Sequence, residues 1–281
     1  MKTTPEIDHR AYELAKNYLP SLKIPGVTQT LIEKYLNPLT LSSKPTSKEE
    51  LYRRILWSAQ EAGMKSGVIG GSIGGVDNLA PVLYSFDPKA VLDNYDGNAD
   101  AVLGQIVKEL KPRIHITLNQ NSIWMRYCKT IISAAEFIEQ FGSADDFYKW
   151  VDFFDQDKRS RASLPMLLDH EIEGFGFALS CNFLKELGYV NFPKPDVHLF
   201  DIFSALKLCK DGKDQYQLFK AIIRVADNSN VTPYNVDKVF WLIGSGKFYR
   251  DLEIGKDGFI GRHKQEFIEF ARLKLFGDDE G

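Results

Sequence analysis

Residues 163–203 read SLPMLLDHEIEGFGFALSCNFLKELGYVNFPKPDVHLFDIF. Leu164, Met166, Leu167 and Ile172 recur at helical spacing and run into Gly174-Phe175-Gly176; Ala178, Leu179, Phe183, Leu184 and Leu187 recur at the same spacing beyond it, and Gly188 closes the second run. Two helices joined by so short a turn need glycine, whose backbone enters conformations closed to residues with side chains. The start of the second helix presents unbonded N–H groups and the positive end of the helix dipole. The turn at Gly174, Gly176 and Ala178 therefore offers a place for one phosphate.

Working outward, the dominant period remains helical. Ser47-Lys48-Glu49-Glu50 has the form of a capping box, and Leu51, Ile55, Leu56 and Ala59 follow on one face. Residues 123–141 behave alike, ending at Gly142, and further helices are predicted at 8–18, 27–36, 88–94, 98–110, 144–153, 163–172, 176–188, 197–208, 214–227, 233–244 and 263–275. Only Arg113–Leu118 alternates like a strand, and it has no second strand to pair with. The fold class is all-α. Pro38–Pro45 and Asp155–Arg161 read as breaks, which predicts a central lobe over 46–155 and a second lobe formed by 1–45 plus 156–281 that carries the hairpin at about 163–188. The terminal residues 277–281 are expected to fray.

Composition narrows the class. Of 281 residues, 44% are hydrophobic and 26% charged, which excludes a disordered chain. No apolar run reaches the roughly 18 residues needed to cross a bilayer, and residues 1–9 contain no apolar signal core, so a soluble intracellular protein is expected, without a membrane partner. Cys128, Cys181 and Cys209 are odd in number and far apart, which disfavours a disulfide framework and excludes a site of four thiolates. His9, His115, His170, His198 and His263 show no short metal spacing, so neither metal nor other cofactor is expected. The balance of 35 basic against 38 acidic side chains, net −3, argues against nucleic-acid binding driven by bulk charge, and says nothing of local patches.

Three signals read as structure. Gly70-Gly71-Ser72-Ile73-Gly74 matches a nucleophile elbow, but that motif needs a strand before the serine; a flexible loop is expected. Gly244-Ser245-Gly246-Lys247 ends a helix, where glycine caps the C-terminus and Lys247 meets the negative end of the dipole. Most of Phe147, Tyr148, Trp150, Phe153 and Phe154 falls on helical faces and is assigned to the core.

The hairpin segment resembles the helix-hairpin-helix of the base-excision DNA glycosylases. The family pattern of an apolar residue, G-x-G, a small residue, a Pro-containing loop and an aspartate is met by Ile172, Gly174-Phe175-Gly176, Ala178, Phe192-Pro193-Lys194-Pro195 and Asp196, and Val197-His198 continues it. Ile55-Leu56-Trp57-Ser58-Ala59-Gln60-Glu61-Ala62-Gly63 and Phe86-Asp87-Pro88 extend the likeness more faintly, over about residues 50–210. The resemblance implies a two-lobed helical fold, damaged double-stranded DNA as partner, and Asp196 as the catalytic carboxylate. Bifunctional members carry a Schiff-base lysine where this chain has Ala178, so a monofunctional enzyme is implied; the missing cluster cysteines imply the branch without iron and sulfur. Glu173 departs from the proline often found there and, with Asp169 and Glu171, puts negative charge beside the phosphate site.

On that reading the protein is a monomeric glycosylase that removes an alkylated or oxidised purine. Asp196 stabilises positive charge developing at C1′ or orients water, Trp57 and Trp124 wall the flipped base, and Gln60 and His198 give polar contacts. For each of these four a core or supporting role is the alternative, and Asp196, lying after proline and before an apolar run, is also a good helix N-cap. Two rival functions stay open: a helix-hairpin-helix protein that binds DNA or acts as a scaffold without catalysis, and an all-α protein-interaction module whose hairpin is only a turn.

Overall fold

Side-chain caps set the starts of most helices in this computed structural model, which describes residues 4–37, 44–61, 67–113, 116, 119–210, 212 and 214–277. Helix α1 (Pro5–Ser21) begins behind Thr4 and α2 (Gln29–Leu36) behind Thr28, each hydroxyl accepting an amide N–H of the first turn. There follow α3 (Lys48–Ala59), the single turn α4 (Gly70–Ile73), α5 (Pro88–Tyr95), α6 (Ala99–Leu110), α7 (Ile123–Glu139), α8 (Ala144–Gln156), α9 (Ser163–Glu171) and α10 (Phe177–Glu186). The chain ends with α11 (Val197–Ala205), α12 (Gln215–Ser229), α13 (Pro233–Ser245) and α14 (Lys264–Phe276). Among the described residues there is no strand, only isolated bridges from Lys247 and Lys256 to Phe259. The protein is all-α. No helix among the described residues is long and apolar enough to cross a membrane.

The chain forms two units, Met1–Ser42 with Gly188–Gly281, and Ser43–Leu187. This departs from the expected boundary near residue 155: the hairpin belongs with the middle of the chain. The reason is packing. Phe183 of α10 meets Phe147 of α8 at 6.2 Å and Phe175 of the turn at 5.8 Å between ring centroids, and all three are fully buried. In the other unit α1, α2 and α11–α14 share a core in which Phe240 packs edge-on against Phe203 and Phe267, and α1 is further tied to α12 where buried Asp8 accepts from Arg224 and Asn228.

Several local expectations need correction. The strand at 113–118 rests on residues outside those described, as do most of the 38–45 linker, His115 and the tail beyond 277. Residues 70–73 form a helical turn where a flexible loop was expected, and Ser72 is buried with its hydroxyl donating to the Ile69 carbonyl. Gly246, in the left-handed region at φ 66°, caps α13, but Gly244 lies inside the helix, where a Cβ would sit 2.5 Å from the His198 Cβ. Close approach of α11 explains that glycine. Lys247 donates to the Asp257 carbonyl rather than serving the helix end. Phe147 is core as expected, whereas Phe153 is 70% exposed.

Candidate functional site

In the Ser43–Leu187 unit, the hairpin is held from beneath by α7. Thr130 and Ser133, one turn apart, grip both backbone groups of one residue: the Thr130 hydroxyl donates to the Glu173 carbonyl at 2.6 Å, and the Glu173 N–H donates to the Ser133 hydroxyl at 2.9 Å. Lys129 pairs with the Glu173 carboxylate at 3.5 Å, which offsets part of the negative charge beside the turn. Gly174 takes φ 78°, a left-handed conformation, and a Cβ there would lie 3.2 Å from Thr130 Oγ1. Gly176 differs: its φ is −45° and a Cβ would meet nothing within 4 Å. The fold does not demand glycine at 176.

The start of α10 is partly occupied. Asp169 of α9 reaches across the turn and accepts from the Phe177 N–H at 3.1 Å. The expectation of a wholly unbonded helix start is corrected by this internal carboxylate, which binds there as an anion would. Among the described residues no hydrogen bond uses the N–H of Gly174, Gly176 or Ala178. Donors for one anionic group thus remain.

Beside the hairpin is a cavity of about 50 Å³, lined by Gln60, Ile69, Arg126, Tyr127, Thr130 and Gly174 among others. It has room for a few waters and is too small for a purine. Gln60 is 8% exposed and its Oε1 lies 2.3 Å from where a Cβ at Gly70 would sit, so Gly70 makes room for the carboxamide. Of the two tryptophans expected as pocket walls, Trp57 is exposed and Trp124 is 2% exposed, packed edge-on to Tyr127. Trp124 is a core residue. Its indole N–H has no partner among the described residues.

Asp196 and His198 lie in the other unit, at the start of α11. The preceding loop is tied to α13 at two points: the Tyr234 N–H donates to the Val190 carbonyl at 2.9 Å, and the Lys194 N–H donates to Asp237 Oδ2 at 3.0 Å. Asp196 is the N-cap, with Oδ1 accepting from the His198 and Leu199 N–H groups at 2.9 and 3.1 Å. No hydrogen bond among the described residues reaches Oδ2. Burial, and then the charge of Asp237, push the Asp196 carboxyl above the ordinary carboxylate range, against lowering by the Leu199 N–H, His198 and Lys194. His198 rests on Gly244, and its Nδ1 is buried without a hydrogen-bond partner among the described residues.

Asp237, 1% exposed, was not foreseen: it lies 41 residues beyond Asp196, and no local pattern links the two. The described residues hold no group of three or more His, Cys, Asp or Glu side chains able to bind a metal ion, and none of the three cysteines forms a disulfide.

No protein-family model matches the chain, and no curated protein is significantly similar to it. Among solved structures, the 8-oxoguanine DNA glycosylase of Methanocaldococcus jannaschii superposes at a TM-score of 0.50, with 15% identity, over 84% of this chain and 94% of that one. The Methanocaldococcus jannaschii 8-oxoguanine glycosylase/lyase in complex with a 15mer DNA containing 8-oxoguanine (TM-score 0.48, 13% identity) and the 8-oxoguanine DNA glycosylase of Thermotoga maritima (TM-score 0.47, 12% identity) each cover 86% of this chain and 98% of their own. At 15% identity the first of these likenesses establishes a shared fold.

Proposed function

We propose that this chain, which has the all-α fold of an 8-oxoguanine DNA glycosylase, hydrolyses the N-glycosyl bond of a damaged purine in duplex DNA. The observation that carries the reading is Asp196. One oxygen anchors the carboxylate to the start of α11 while the other has no hydrogen bond among the described residues, and the loop that bears it follows the glycine hairpin. Breaking the bond to C1′ leaves positive charge on the sugar, which a carboxylate with a free oxygen stabilises. Water then adds its oxygen to C1′, the departing base takes up a proton, and the strand is left abasic and uncut. Ala178 offers no amine where the resemblance would put a Schiff-base lysine, so strand cleavage is not part of the proposal.

Binding in this reading starts with backbone. The hairpin amides contact a phosphate, which positions the duplex without reading its sequence. The base must then leave the stack to be reached. Since the cavity beside Gln60 is water-sized, the base pocket is not that cavity as it stands. An oxidised purine is the first lesion to try, because the glycosylase at TM-score 0.50 is named for 8-oxoguanine.

One observation favours the second reading, a DNA-binding protein without turnover: Asp169 already occupies the Phe177 amide at the proposed phosphate site. Incubation with a panel of oxidised and alkylated duplexes, followed by hot alkali, separates the two. Alkali-labile sites at the lesion are expected. Binding without base release across the panel would replace the enzyme by the binding protein, and absence of salt-dependent binding would remove both.

A further inference from the structure

Asp237 is nearly inaccessible, and burying a carboxyl group is costly unless its oxygens are used. Its Oδ2 accepts from the amide of Lys194, two residues before Asp196. The same short segment turns tightly, with the Asp196 N–H directed to the Lys194 carbonyl at 3.0 Å, so fixing Lys194 fixes where Asp196 starts. Pro193 and Pro195 flank the bonded amide and carry no N–H of their own, which leaves Lys194 as the donor between them that α13 can hold. Asp237 also lies near enough to Asp196 for its carboxylate to raise the proton affinity there.

We propose that Asp237 is a positioning residue that aims the Asp196 carboxylate through Lys194 and holds a negative charge against it. The inference rests on the reading of Asp196 as the group that acts at C1′. The hydrogen bond sets the direction of the Asp196 side chain; the charge sets its proton affinity. Charged groups facing Asp196 are Asp237 from α13, which raises that affinity, and Lys194 and His198 from its own segment, which lower it. A carboxylate poised by a like charge keeps high basicity for an attacking water, at the expense of being protonated at a higher pH.

Two substitutions divide these roles. Asp237→Asn keeps an oxygen for the Lys194 N–H and removes the charge; Asp237→Ala removes both. In single-turnover base release, Asp237→Asn should stay within a few-fold of wild type at pH 7.5, with the acid limb of its pH profile moved to lower pH. Asp237→Ala should lose on the order of 10–10² in rate, the scale expected for a catalytic group displaced by about an ångström. A folded Asp237→Ala protein with wild-type rate and wild-type acid limb would overturn the proposal. A carboxyl-carbon NMR titration of Asp196 keeps the test separate from the enzyme reading. Its titration should move to lower pH in Asp237→Asn whether or not base is released, and an unmoved titration overturns the inference even if the wild type proves to be a glycosylase. Absence of base release by the wild type, with the titration shifted, would sink the catalytic reading and with it the role in aiming, leaving only the charge contact.

Discussion

Asp196 carries two duties that pull against each other. As N-cap it stabilises α11, and truncation of such a cap costs about 1 kcal/mol. As a buried carboxyl with Asp237 beside it, it is held above the ordinary carboxylate range, so the folded state keeps the proton more tightly than the unfolded chain does. Its contribution to stability is therefore greatest below the ordinary carboxylate pKa and is lost as pH rises through the raised value. Asn caps as well as Asp and carries no charge. Asp196→Asn should melt at or above the wild-type temperature at pH 7, whereas Asp196→Ala should lose about 1 kcal/mol, read by thermal unfolding. An Asn variant that melts well below wild type would mean that the ionised carboxylate is a net structural support, contrary to the strain described.

At the scale of elements the hairpin divides into a part the fold requires and a part it does not. Gly174→Ala forces a side chain into the left-handed region and toward Thr130, and should cost about 1–2 kcal/mol. Gly176→Ala meets open space at an ordinary φ, and should stay within about 1 kcal/mol of wild type while weakening binding to damaged and undamaged duplexes alike. Calorimetry and a binding titration read the two effects; unchanged affinity in Gly176→Ala would make the hairpin a structural turn. The hairpin and the N-cap were legible in the sequence because both are local signals: glycine spacing, an apolar period, a capping aspartate. What holds them was not. Thr130 and Ser133 stand 43 and 40 residues from Glu173, and Asp237 stands 43 from Lys194. Polar contacts at such separations leave no period. Gly70 and Gly244 were read by turn chemistry, yet each makes room for a distant side chain, Gln60 and His198.

The whole molecule is two helical units with a net charge of −3, so in the proposed function affinity for DNA would have to come from a few placed groups. The order of helices was readable because each amphipathic run is continuous, but the division between units was not. The polar break at 155–161 looks like a boundary, yet the chain beyond it packs Phe183 back onto Phe147 of α8. With Ala178 in the hairpin, borohydride added during reaction with a lesion duplex should trap no covalent complex; an adduct would reveal another amine as nucleophile and end the monofunctional reading.

The central claim is that Asp196 acts on the N-glycosyl bond, and single-turnover base release by wild type and Asp196→Asn tests it most directly. On the best duplex of the lesion panel, with abasic sites revealed by hot alkali, wild type should release base, and folded Asp196→Asn should be slower by about 10²–10³ with duplex binding kept within a few-fold. Base release by the Asn variant at the wild-type rate would contradict the account.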